Sequence, residues 1–111
     1  MGESARQGCF EFDEVHGYLE RKEGFIFSLL REECPNVKIS FRLTKEGQKR
    51  QFKVRHDNGH VYQLNFTDAF LFSRTLEDLK CELLFNLEYM KKANCSSRAS
   101  FCRGGTRIKD F

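Results

Sequence analysis

The sequence predicts an α+β domain of order α-β-β-β-α, in which a three-stranded antiparallel meander is covered on one face by two helices. Three observations carry this. Apolar residues recur at helical spacing before Pro35 and after Thr75, apolar and polar residues alternate in three segments between them, and glycine-bearing turns bring those segments into a common register. A chain of 111 residues suits one domain, and 40% hydrophobic against 32% charged residues supplies a core without a disordered composition.

The first helix rests on Val15, Leu19, Ile26, Leu29 and Leu30. Gly17 and Gly24 each cost about 1 kcal/mol in a helix interior, so a break near Gly24 is expected, and the helix must stop before Pro35. Val37, Ile39, Phe41 and Leu43 alternate with Lys38, Ser40, Arg42 and Thr44 in the first strand. Phe52 and Val54 continue the pattern in the second, and Tyr62, Leu64 and Phe66 in the third.

A two-residue turn at Gly47 and Gln48 would pair Leu43 with Phe52 and Phe41 with Val54. A three-residue loop ending in a left-handed Gly59 would pair His56 with His60, Val54 with Tyr62 and Phe52 with Leu64. Both registers put the apolar residues on one face, where a one-residue slip would scatter them. Phe41, Phe52, Val54, Leu64, Leu79 and Leu83 are expected to share the core. Thr75 opens the last helix with Asp78 in a capping-box position, and Leu76, Leu79, Leu83, Leu87 and Met90 follow at spacings of three and four. The expected organisation is an N-terminal tail over 1–10, the domain over 11–93, and a basic flexible tail over 94–111.

No nucleophile motif, phosphate loop or metal-ligand spacing occurs, so the sequence is read as a binding domain without a cofactor, not as an enzyme. Cys9, Cys34, Cys81, Cys95 and Cys102 form an odd, scattered set expected to be reduced thiols. No run of about 20 apolar residues and no leader-like N-terminus occurs, which fits a protein of the cytosol or nucleus that does not insert into membranes.

Charge placement is more informative than the net value of +3. Positions 38–55 hold seven basic residues against Glu46, and the first helix is mainly acidic. In the register above, Lys38, Arg42, Lys53 and Arg55 point away from the core, with Lys45, Lys49 and Arg50 around the first turn. Such a surface suits the phosphates of a structured RNA. The competing reading is a solvated strand face kept charged against aggregation.

This order of elements with a basic outer sheet face resembles the nine- and fourteen-kilodalton Alu-domain subunits of the signal recognition particle. Short local likenesses lie at Val37-Lys38-Ile39-Ser40-Phe41-Arg42, Arg55-His56-Asp57-Asn58-Gly59-His60, Thr67-Asp68 and Lys91-Lys92. The resemblance implies a ribonucleoprotein subunit that holds RNA on its exposed sheet and pairs with a homologous partner or with itself. The element order is also similar to a double-stranded-RNA-binding domain. There the start of the last helix carries lysines, whereas this chain has Glu77, Asp78 and Lys80, which implies a degenerate member acting as a protein-interaction or dimerisation module.

Overall fold

In a computed structural model, residues 3–44 and 49–110 are described, with side chains from position 17 onward. Helix α1 (Glu3–Glu33) leads into strands β1 (Lys38–Thr44), β2 (Lys49–Arg55) and β3 (Val61–Thr67). Helices α2 (Asp68–Ser73) and α3 (Leu76–Ala93) then cross back, and strands β4 (Ser97–Cys102) and β5 (Gly105–Asp110) follow. The sheet has five strands in the order β1-β2-β3-β4-β5, antiparallel except for the parallel β3–β4 pair. The mixed α+β class and the antiparallel meander are as the sequence predicts, but the sheet is wider than three strands.

The basic tail expected over 94–111 is therefore a hairpin of the sheet. Ala99 and Phe101 are fully buried and alternate with Arg98, Ser100 and Cys102, while Val61 N–H donates to Ser96 Oγ at 2.9 Å where β4 joins β3. The segment binds because it completes the cover of Phe66, whose ring stacks on Phe101 at 4.4 Å. Likewise, the expected tail over 1–10 gives way to α1 from Glu3, and the helix runs unbroken through Gly24.

Two anchors span that glycine. Ile26 and Leu30 are fully buried on its C-terminal side. On its N-terminal side Lys22 is buried and donates to Tyr18 Oη at 2.6 Å and to the carbonyls of Leu71 and Arg74. An ammonium in such a position is tolerated because its donors find acceptors there, and it fastens α1 to the end of α2.

The β2–β3 hairpin has the predicted register and loop. Val54 pairs with Tyr62, Gly59 adopts φ +92°, and His56 N–H donates to His60 O at 2.9 Å. The β1–β2 ladder is displaced by two residues from the expectation: Phe41 pairs with Phe52, Ile39 with Val54, and Thr44 with Lys49. The expected turn at Gly47 and Gln48 lies outside the described residues. A two-residue shift conserves the faces, so the same side chains point to the helices, but each sits two residues further along the partner strand. Phe41 consequently lies at the rim, 42% exposed, and is not a core residue as expected.

Thr67 and Thr75 cap α2 and α3, accepting from Phe70 N–H and Asp78 N–H, each at 3.1 Å. Helix α3 ends on Asn94 in the left-handed region. All three helices lie on one side of the sheet, over a core centred on Phe52, Leu64, Phe66, Phe70, Leu83 and Phe101. Among the described residues no helix is long and apolar enough to cross a membrane.

Two measurements check this architecture. Leu83→Ala and Phe101→Ala should each lower unfolding stability by about 2–5 kcal/mol in denaturant titration; a negligible effect of Phe101→Ala would detach β4 from the core. Gly24 is exposed and a Cβ there meets nothing within 4 Å. Gly24→Ala should therefore stabilise the protein by about 0.5–1 kcal/mol.

Candidate nucleic-acid interface

The strand face turned away from the helices is defined by the ladder. Alternate positions of β1 and β2 place Lys38, Arg42, Lys49, Lys53 and Arg55 there, interspersed with Ser40, Thr44 and Gln51. The corresponding positions of β4 and β5 place Arg98, Arg107 and Lys109 there with Ser100. Between these two cationic bands, β3 contributes Gln63, Asn65 and Thr67. No Asp or Glu occupies a described strand position on this face, and no Phe or Tyr does either.

The central strip is an amide network. Gln51 Nε2 donates to Asn65 Oδ1 at 3.0 Å, and Gln63 Nε2 approaches the same oxygen at 3.5 Å. A concavity of about 590 Å3 opens beside it, lined by Lys49, Arg98, Arg107 and Lys109 with Ser100 and Cys102.

Two cation pairs on this face stand directly opposite across the ladder, Lys38 with Arg55 and Arg98 with Lys109. Like charges so placed destabilise a strand pair. The expected juxtaposition of Arg42 with Lys53 is replaced, since Arg42 pairs with Gln51 and Lys53 with Ser40. Lys38, Arg42, Lys53 and Arg55 still share the face.

Arg50, expected among the exposed cations, is buried on the helix side. It has the same parity as Phe52 and Val54, so the pleat directs it inward. There it pairs with Asp68, and its Nε lies 3.1 Å from Glu23 Oε2. It ties β2 to α1 and to the start of α2 and is unavailable to a ligand. Lys45 lies outside the described residues. Arg98, Arg107 and Lys109, assigned to a tail by the sequence reading, complete the second cationic band instead.

Other polar groups belong to the scaffold. Arg74 donates to Glu82 Oε2 at 2.6 Å and covers the Phe70 ring at 4.6 Å. Burial, followed by the nearby His60 and Lys91, pushes His56 below its ordinary 6.5. Burial raises the Cys34 thiol. Cys34, Cys81, Cys95 and Cys102 are free thiols. Among the described residues no group of three His, Cys, Asp or Glu side chains is placed to hold a metal ion.

No protein-family model, curated protein or solved structure matches the chain.

The two arginine and lysine environments separate in a single comparison. Arg50→Gln leaves two carboxylates without their cation and should destabilise the protein by about 1–3 kcal/mol. Lys53→Gln, on the open face, should change stability by no more than about 0.5 kcal/mol. Thermal and denaturant unfolding of the two variants checks the assignment.

Proposed function

We propose that the protein is a non-catalytic RNA-binding subunit that lays the open sheet face on the backbone of a structured RNA. The observation that carries this reading is the gathering of Lys38, Arg42, Lys49, Lys53, Arg55, Arg107 and Lys109 on a face whose described strand positions hold no acid, with Lys38 directly opposite Arg55. Such an arrangement works against folding and is relieved by a polyanion, whose condensed counterions are released on contact.

The spacing suits a duplex. Adjacent strands lie about 4.8 Å apart, so the two bands stand roughly 14 Å from one another with the amides between them. Cations on either side can take the phosphates of the two backbones. Gln51, Gln63 and Asn65 can then donate to or accept from the 2′-hydroxyls and base edges that the shallow groove of A-form RNA displays. Without aromatic side chains on this face, recognition proceeds through shape and backbone, not base stacking.

The Alu-domain resemblance would make the RNA that of the signal recognition particle. β4 and β5 are additions to its α-β-β-β-α pattern, and they widen the face that meets RNA. Lys80 stands on α3, in the helical layer, and adds nothing to this surface.

The test is binding of an RNA duplex of roughly 16 base pairs across a salt series. Replacing Arg42, Lys53 and Arg55 together by glutamine should abolish most binding. It should also lower the slope of log affinity against log salt by up to about three, while the melting temperature stays unchanged or rises slightly. Replacing Arg98 and Lys109 should lower the slope by up to about two. Unaltered affinity and slope in both variants would return the face to the role of a solvated surface.

A further inference from the structure

We infer that the concavity beside the β4–β5 turn is a site for a terminal phosphate monoester, which the phosphorylated end of the RNA supplies. The inference rests on the RNA-binding reading of the open face and narrows it to the kind of RNA end that is bound.

The shape of the concavity follows from which side chains are short. Ser100 and Cys102 on β4, with Gly105 opposite Cys102, form a floor of small residues. Gly105 has φ +146°, a backbone state that other residues rarely adopt, so the tip of the hairpin stays bare. Lys49 from β2 and Arg98, Arg107 and Lys109 from β4 and β5 stand around this floor and enclose about 590 Å3. None of the described lining residues is acidic. Among the described residues no carboxylate pairs with Lys49, Arg107 or Lys109.

Charge and connectivity select the ligand. A phosphodiester within a strand carries a single negative charge and has a sugar on either side, so the chain must pass through its site and leave again. A terminal monoester carries about −1.5 to −2 at pH 7, offers three acceptor oxygens and has a sugar on one side only. It can enter a hollow end-on. Cations converging from separate strands suit that higher charge. The Arg107 guanidinium can take two oxygens, Lys49 and Lys109 act as point charges, and the Ser100 hydroxyl, directly opposite Arg107, is a further donor. The hollow also lies where strands end, between the start of β2 and the turn after Cys102. A duplex whose groove runs between the two cationic bands, along the strands, brings its end there.

Fluorescence anisotropy with the full chain, at fixed salt and under reducing conditions, tests the site with internally labelled RNA duplexes. One has roughly 16 base pairs and hydroxyl ends, and its counterparts carry 5′- or 3′-terminal phosphates. Another has hydroxyl ends and one more base pair, which matches the phosphate count with diesters alone. Terminal phosphates at one of the two positions should tighten binding at least about fivefold, and the longer duplex should not reproduce the gain. Lys49→Gln combined with Arg107→Gln should cancel it, so that phosphate and hydroxyl ends bind alike. Lys53→Gln should weaken every duplex in proportion and keep the ratio. Melting curves establish that each variant is folded.

A second readout needs no duplex. Adenosine 5′-monophosphate, but not adenosine, should shift the backbone amide resonances of Ser100, Gly105 and Arg107 and leave those of β1 in place. Phosphorylated duplexes bound no tighter than the hydroxyl-ended one, a gain matched by the longer duplex, or a gain that survives the double variant overturns the inference. Failure of every duplex to bind overturns the RNA reading instead. The nucleotide titration then decides the monoester site, which unmoved amides overturn.

Discussion

The ring of Phe66 is the contact on which the layers of this protein converge. It meets Phe52 edge-on at 5.8 Å, Phe70 at 6.0 Å and Phe101 face to face at 4.4 Å. One side chain on β3 thus joins β2, α2 and β4, and the contact of Phe70 with Phe101 at 5.5 Å closes the cluster. Because β3 is the central strand, whatever settles on Phe66 must come from the helix side. Among the described residues no element covers the opposite face, and its chemistry is left to the polar half of the alternation.

That division explains the path of charge through the molecule. Buried ionic groups hold the helical layer down: Arg50 between Glu23 and Asp68, and Lys22 on the carbonyls of Leu71 and Arg74. In both cases a cation is retained inside because acceptors from another element surround it. On the far side, the cations stand opposite amides and hydroxyls, as Arg42 does Gln51 and Lys53 does Ser40, or opposite one another, as Lys38 does Arg55. The same residue types therefore do opposite work on the two faces, and strand parity decides which.

The legible parts of the fold were those where local chemistry leaves one solution. Gly59 at a left-handed position fixed the β2–β3 loop, and with it the register that places Val54 opposite Tyr62. The β1–β2 register was less legible, because the length of its loop rather than the alternation sets the offset, and a shift of two residues satisfies the same pattern. Arg50 could have been placed correctly by its even spacing from Phe52 and Val54, but its charge suggested a surface position.

β4 and β5 were the hardest to see. Ser97, Ala99 and Phe101 alternate properly, yet small inward-facing residues give little hydrophobic signal, and their value appears only against the ring of Phe66. The cations of the second band were hidden with them. The unbroken α1 was concealed for a related reason: the helical spacing shows the anchor at Ile26 and Leu30, but the acceptors that hold Lys22 are carbonyls of the remote Leu71 and Arg74.

The parallel seam between β3 and β4 also shapes how the chain reaches its native state. Val61 and Ser96, which meet at this seam, are 35 residues apart in the chain, with α2 and α3 between them. The β1–β3 meander can form from neighbouring segments, but its central strand keeps an open apolar edge until the distant strand returns. Loop closure must be met before Phe101 rewards it. During that interval the exposed flank of β3 is open to any extended segment nearby, so the speed with which α3 carries β4 home governs how long the chain is vulnerable to mispairing.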